Sequence, residues 1–409
     1  MGAVPASGAN ALHYRPFVFY WLATWAIGFA VQIMSVAVGW QIYDITRDPL
    51  ALGFVGLAQF LPPLVLVLVT GLAADRFNRR LIMGACLAVE ALCAIGLLAF
   101  TLIAPTTVLP VYGILVFLGI ARAFLNPAAD ALAPNLVPKE AIAHGISLNS
   151  MSWQVANIAG PVAGGLLYGL SGEIAYGMAC LLVLAAAGFI AMTGRVLQAQ
   201  RAGETSLASL FAGFAFIRRE RIVLGAISLD LFAVLLGGAV ALMPIYARDI
   251  LDVGPWGLGL LRAAPGIGAI FVTLYLVKFG IRDHAGRLLF IFVAGFGLST
   301  AVFGLSTALP LSILALAAVG ACDMVSVYIR EILLQLWTPD DVRGRVNAVN
   351  RVFLGASNEL GEFRAGAVAA LTGAVIATVA GGVGTMAVAA LWARWFPELR
   401  AARRLDGRS

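Results

Sequence analysis

Charge is scarce in this chain. Asp, Glu, Lys and Arg together make up 12% of its 409 residues, against about 25% in ordinary soluble domains. That shortage excludes a soluble enzyme or a soluble binding module. Histidine is scarcer still. His13, His144 and His284 fall at or beyond the ends of apolar runs, so no buried histidine is at hand to carry protons. The four cysteines, Cys86, Cys93, Cys180 and Cys322, stand singly inside apolar stretches. Their spacing fits neither a metal site nor a disulfide framework, and they read as small buried hydrophobes. No Ser-His-Asp arrangement, metal cluster or Gly-rich phosphate loop occurs. No long polar segment is present to hold a catalytic or nucleotide-binding domain. An enzyme and an ATP-driven pump are therefore disfavoured, and no cofactor is expected. No cleavable signal peptide precedes the first apolar run.

What the chain does have is apolar length. Hydrophobic residues reach 61% and the mean hydropathy is +0.94, which reads as a polytopic, all-α membrane protein. Twelve spans are expected, near 17–43, 50–73, 81–103, 110–133, 142–170, 173–195, 222–246, 255–279, 288–307, 310–334, 345–375 and 378–396. The net charge of +6 and the pI near 9.4 do not indicate nucleic acid, because the basic residues lie between spans rather than on one soluble face. Most of the 27 Lys and Arg fall on one side if the N-terminus is inside, and only Arg47 and Arg248 fall outside. The positive-inside rule then places both termini in the cytoplasm, with the chain in the inner membrane.

A shift of 201 residues lays the chain on itself. Gly119 meets Gly320, Asp130 meets Glu331, Pro138 meets Pro339, Asn149 meets Asn350, Asn157 meets Asn358 and Gly160 meets Gly361. The register holds from the fourth span into the fifth, and from the tenth into the eleventh. The expected organisation is an N-terminal six-helix half at 1–196, a cytoplasmic linker at 197–221 and a C-terminal six-helix half at 222–409.

Four stretches carry a family resemblance. The first is Gly71-Leu-Ala-Ala-Asp75-Arg76-Phe-Asn-Arg79-Arg80 between the second and third spans. The second is Gly160-Pro161-Val-Ala-Gly164-Gly165 in the fifth. The third runs from Leu229-Asp230 through Gly237-Gly238 and Met243-Pro244 to Arg248-Asp249, and on into Gly257 to Pro265. The fourth runs from Gly320-Ala-Cys-Asp323 through Thr338-Pro339-Asp340-Asp341-Val-Arg343-Gly344-Arg345 to Ser357-Asn358-Glu359-Leu-Gly361-Glu362. The chain resembles the major facilitator superfamily, and within it the enterobactin-exporter and macrolide-efflux branch of drug:proton antiporters. The resemblance implies two pseudo-symmetric six-helix halves that rock about a midplane site. It also implies proton-coupled export of siderophores or amphiphilic drugs. The partners so implied are a small-molecule substrate, protons and the lipid bilayer, with no nucleic acid and a functional monomer. The glycines of the fifth span match its antiporter signature only in part, with Ser147 and Ala156 standing where glycines belong.

Ionisable groups inside spans are costly and so are functional candidates. Those expected to couple protons or bind substrate are Glu90, Arg122, Asp230, Arg262, Asp323, Glu359, Glu362 and Arg364. Glu359 and Glu362 are three residues apart and share a helix face, which poises one of them for proton exchange. Arg364 points elsewhere, toward a partner helix. The same groups read equally as structural ion pairs, with Arg122, Arg262 or Arg330 as counter-ions. Asp230 and Asp323 stand alone on apolar stretches. Arg122 occupies the region where the superfamily often carries a coupling arginine. The resemblance further implies a cytoplasmic latch of Gly71, Asp75, Arg76, Arg79, Arg80 and Asp130, with Asp75 capping the eleventh span. Pro161 bends the fifth span, and its small residues allow close packing. An importer or uniporter, and a membrane receptor that binds without transporting, remain the alternatives.

Overall fold

The computed structural model describes residues 10–103, 106–194, 207–281 and 283–402. Every regular element among them is helical. Twelve long helices occur: α1 (Arg15–Thr46), α2 (Pro49–Arg76), α3 (Arg79–Leu102), α4 (Leu109–Leu132), α5 (Ile142–Leu170), α6 (Gly172–Met192), α8 (Arg221–Gly237), α10 (Gly254–Phe279), α11 (Ala285–Leu305), α12 (Leu309–Trp337), α13 (Asp340–Thr372) and α14 (Ala374–Trp395). Three shorter ones are α7 (Leu207–Arg219), α9 (Met243–Ile245) and α15 (Pro397–Ala401). Within the stretch read as a linker, residues 207–219 thus form a helix, packed on α13. The remainder up to 206 lies outside the described residues.

Among the described residues, ten helical segments are long and apolar enough to cross a membrane. Large hydrophobes such as Val277 (82%) and Leu371 (88%) are openly exposed, as suits lipid contact and not water. α5 and α13 have the length of a span, at 29 and 33 residues, but not the hydropathy. α5 carries His144, Ser147, Asn149, Ser150, Ser152, Gln154 and Asn157, and α13 carries charges along its length. The 201-residue repeat equates these two helices with each other.

The chain divides into two compact units. Unit 1 holds residues up to Gln41 and Leu61–Glu204, and unit 2 holds Ile42–Phe60 and Thr205 onward. α1 and α2 therefore contribute to both. The change in α2 comes just before Pro62-Pro63, where two backbone donors are missing from the helix.

In a bilayer, helices associate through close packing rather than through expulsion of water. Unit 1 shows this at α5. A Cβ on Gly160 would stand 2.6 Å from Gln32 Cβ, and one on Gly164 would stand 3.0 Å from Ile33 Cα. Gln32 also donates to Asn157, so α1 and α5 are joined by a polar contact beside the small residues. Pro161 and Gly165 are buried in the same helix. Unit 2 repeats the device between α10 and α12. Cβ atoms on Gly268 and Gly320 would fall 1.8 and 1.9 Å from the carbonyls of Ala317 and Pro265.

The seventh span departs from expectation. It reads as one helix over 222–246, yet α8 stops at Gly237. The chain resumes as a 3-10 turn at Val240–Leu242, passes through α9 and ends as a π-helix at Tyr246–Ile250. Gly237 cannot be larger, because a Cβ there would lie 2.5 Å from Phe296 Cε1 and 2.7 Å from Thr385 Oγ1. Carbonyls near the break take side-chain donors: Thr385 Oγ1 donates to Ala233 (2.9 Å) and Arg364 donates to Leu236. Non-helical backbone at membrane depth survives only where protein satisfies it.

Candidate functional site

Unit 2 holds most of the ionisable groups within spans. Asp230 lies midway along α8, and its carboxylate is ion-paired with Arg330 of α12. Both are buried, at 7% and 2% exposure. Asp323 stands two helical turns before Arg330, on the same face of α12. It makes no hydrogen bond or ion pair among the described residues, and the charges it feels are those of Asp230 and Arg330. Asp230, Asp323 and Ser326 line a cavity closed on its apolar side by Val293 and Phe296. The empty space, about 230 Å³ with its open side included, is lined by two carboxylates and a hydroxyl. It suits water, a proton or a small ion. The sequence presented both aspartates as lone acids. The fold pairs one and leaves the other as the odd charge.

The second cluster gathers on α13. Its two carboxylates converge on the N-terminal half of α2: a Cβ on Gly56 would stand 2.9 Å from Glu359 Oε2 and 3.2 Å from Glu362 Oε2. Arg262 of α10 supplies the positive charge that Glu362 faces. Arg364 is turned away, onto the Leu236 carbonyl at the end of α8, where a cation suits the negative helix terminus. α13 comes this close to α8 because Gly361 has no side chain. A Cβ there would meet the Val234 carbonyl at 3.0 Å.

In unit 1, Glu90 of α3 is paired with the partly exposed Arg122 of α4, at 3.7 Å. Glu90 is fully buried, and neither of its oxygens is hydrogen-bonded.

The Gly71–Arg80 string is less of a turn than its sequence suggests. α2 runs through Gly71 to Arg76, and only Phe77 and Asn78 lie between helices. Asn78 caps the start of α3, accepting from Arg80 N (3.1 Å) and Leu81 N (3.4 Å). Arg79 donates to the carbonyls of Ala74 (3.1 Å) and Ala131 (3.0 Å). Arg80 donates to Ile190 (3.1 Å), Gly194 (2.8 Å) and Ala191. The two arginines thus tie the ends of α2, α4 and α6 together within unit 1, cation against helix C-terminus. Arg76 and Asp130 are exposed. The side chain of Asp75, and with it the expected cap of the eleventh span, lies outside the described residues.

A contact that sequence reasoning missed joins the end of α1 to the π-helix. Arg248 is paired with Asp44, Arg47 with Asp249 at 3.2 Å, and the Tyr43 hydroxyl donates to Asp249. The signal was present: Arg47 and Arg248 are the two arginines on the sparsely charged side. Gly56 and the Gly237-Gly238 break were also not read as parts of a site.

A family model for transmembrane secretion effectors matches residues 6–406. The chain belongs to that family, within the major facilitator superfamily. The enterobactin exporter EntS of Shigella boydii serotype 18 is 26% identical to this transporter over 388 residues, 92% of the chain and 90% of that protein. EntS of Escherichia coli O81 aligns with the same identity and coverage. Among solved structures, the nucleoside transporter NupG superposes with a TM-score of 0.75 at 12% identity, over 93% of this chain and all of that one. A bacterial homologue of the human lysosomal transporter Spinster gives 0.73 at 15%, over 98% of this chain and 100% of that one. At such identities the likeness shows the fold. The transporter is a multi-pass membrane protein with a small-molecule substrate.

Proposed function

We propose that the protein exports siderophores or other amphiphilic small molecules across the inner membrane, with each cycle coupled to proton entry. The observation that carries the coupling is the odd acid of unit 2. Asp323 stands beside an Asp230–Arg330 pair that is already balanced. A half-buried carboxylate without a counter-ion of its own is costly inside a span, and a bound proton removes that charge. The cluster then has two charge states, and a conformation that interacts differently with the two is shifted by the proton.

The cargo reading rests on the similarity to enterobactin exporters along nine-tenths of their length. In unit 2, Arg262 and Arg364 provide half-buried positive charge for an anionic amphiphile, and Glu359 and Glu362 set that charge when no cargo is bound; in unit 1, Arg122 and Glu90 form a pair of the same kind. Gly160, Pro161, Gly164 and Gly165 hold α5 tight against α1 and limit leakage. Gly71, Asp75, Arg76 and Asp130 form the cytoplasmic latch, which Arg79 and Arg80 brace by tying the ends of α2, α4 and α6 together. Both termini are cytoplasmic, from the distribution of arginine, and the working unit is the monomer.

The test is flux in proteoliposomes loaded with a pH-sensitive dye, under an imposed pH gradient, with enterobactin as cargo. Enterobactin-dependent proton movement is expected, and Asp323→Asn should abolish it while enterobactin still exchanges across the membrane. Enterobactin flux without proton movement would remove the coupling. Flux of a cationic dye with none of enterobactin would remove the cargo assignment.

A further inference from the structure

One cleft in unit 2 belongs to neither charge cluster. α11 begins at Ala285, directly after His284, whose backbone is left-handed (φ 59°). That conformation is uncommon for any residue but glycine. Asp283 holds it: its carboxylate accepts from His284 N at 2.7 Å and lies 3.1 Å from Nδ1. No side chain caps α11. The C-terminal segment folds against it instead, and Gly286 N donates to the Ala402 carbonyl at 2.9 Å. Position 286 has to be glycine, since a Cβ there would meet the Leu399 carbonyl at 1.9 Å. Leu399 is the fully buried residue of α15. The docking of α15 on the start of α11 is therefore built into the sequence, and a cleft remains between them.

The cleft has about 610 Å³ of open space and is lined by His284, Arg287, Pro397, Arg400, Ala401 and Ala402. The side chains of Arg287 and Arg400 make no hydrogen bond or ion pair among the described residues. The neighbouring acids are occupied elsewhere: Asp283 with His284, and Glu398 with Arg221 at 3.2 Å. Two cations and the positive end of a helix thus share one recess with no counter-ion among the described residues. Its surroundings are those of a membrane boundary. α14 ends at Trp395, which is 54% exposed and leads through Phe396 into α15. Its ring stands 5.4 Å from that of Trp392, and indoles of this kind sit at headgroup level. The arginine distribution puts this end in the cytoplasm, where the leaflet carries anionic lipid.

We infer that the cleft binds the phosphate headgroup of an anionic phospholipid of the cytoplasmic leaflet, held by Arg287 and Arg400. This site is independent of cargo and of proton coupling. The experiment is thermal unfolding of the full chain in neutral detergent, titrated with phosphatidylglycerol, phosphatidylcholine or inorganic phosphate. Phosphatidylglycerol should raise the Tm saturably, and phosphatidylcholine should not. Arg287→Gln or Arg400→Gln should weaken the half-saturation point about fivefold, and the double variant about thirtyfold. A double variant that responds like the wild type would overturn the assignment. So would inorganic phosphate giving the whole effect while phosphatidylglycerol gives none, which would make the ligand a free anion. If the double variant does not fold, a phosphatidylglycerol with a photoreactive headgroup is cross-linked to the wild type. Adducts within 284–287 or 397–402 are expected, and adducts only elsewhere would overturn it.

Discussion

Asp230 and Asp323 are the same residue type in the same cavity, yet their substitutions should behave oppositely. Asp230→Asn removes the partner of Arg330, a guanidinium left 2% exposed. Breaking a buried pair from one side costs about 3–5 kcal/mol, so the Tm in detergent should fall steeply. Asp323→Asn removes a carboxylate that has no counter-ion of its own, so the Tm should stay or rise while proton-coupled flux is lost. Equal destabilisation by the two would mean that Asp323 shares Arg330, and the odd-charge argument would fail. Sequence reasoning reached both acids because an ionisable group in an apolar run stands out by itself. It could not assign Arg330 to Asp230, because the two are a hundred residues apart and only the packing of α8 on α12 joins them. The reverse holds at Glu359 and Glu362. Their shared face follows from helical spacing alone, whereas their meeting point at Gly56 depends on where α2 lies.

Helices show the same division at the next scale. The spans were legible because length and hydropathy are local properties. The break in the seventh was not, because Gly237-Gly238 is one glycine pair among 45 glycines, and its meaning comes from Phe296 and Thr385 crowding it. Arg364 seals that break. Arg364→Met keeps much of the side-chain volume but leaves the Leu236 carbonyl without its donor, an expected loss of about 1–3 kcal/mol. The check is a thermal scan beside Arg364→Lys, which keeps a donor and should lose less. A Met variant as stable as the wild type would show that backbone rearrangement satisfies the carbonyl. The Gly71–Arg80 string teaches a related lesson. Its arginines were read for their charge and their side of the membrane. In the fold, Arg79 and Arg80 spend their donors on helix-end carbonyls of α2, α4 and α6. This is a tethering role that a sequence motif does not distinguish from a latch.

For the whole molecule, α5 and α13 are where hydropathy and architecture disagree. Both have the length of a span and are read as spans from the sequence, yet both are too polar to pass as one on hydropathy alone, and the repeat superimposes them. Polar positions on such helices are tolerable in a bilayer only if they face protein or water. Ser150 of α5 and Asn358 of α13 are exposed in their own units, and neither has the apolar character of a lipid-facing residue. They should therefore be wetted. Single cysteines placed there, with Cys86, Cys93, Cys180 and Cys322 replaced by serine or alanine, should react with a water-soluble maleimide in native membranes. Cysteines at Leu184 of α6 and Leu298 of α11, which are 51% and 56% exposed, should stay unlabelled, because a thiol in lipid neither ionises nor meets the reagent. Protection of Ser150→Cys and Asn358→Cys by added enterobactin would tie the polar helices to the cargo. Labelling at Leu184→Cys and Leu298→Cys, with none on α5 and α13, would invert the assignment of lipid and water faces and with it the reading of both units.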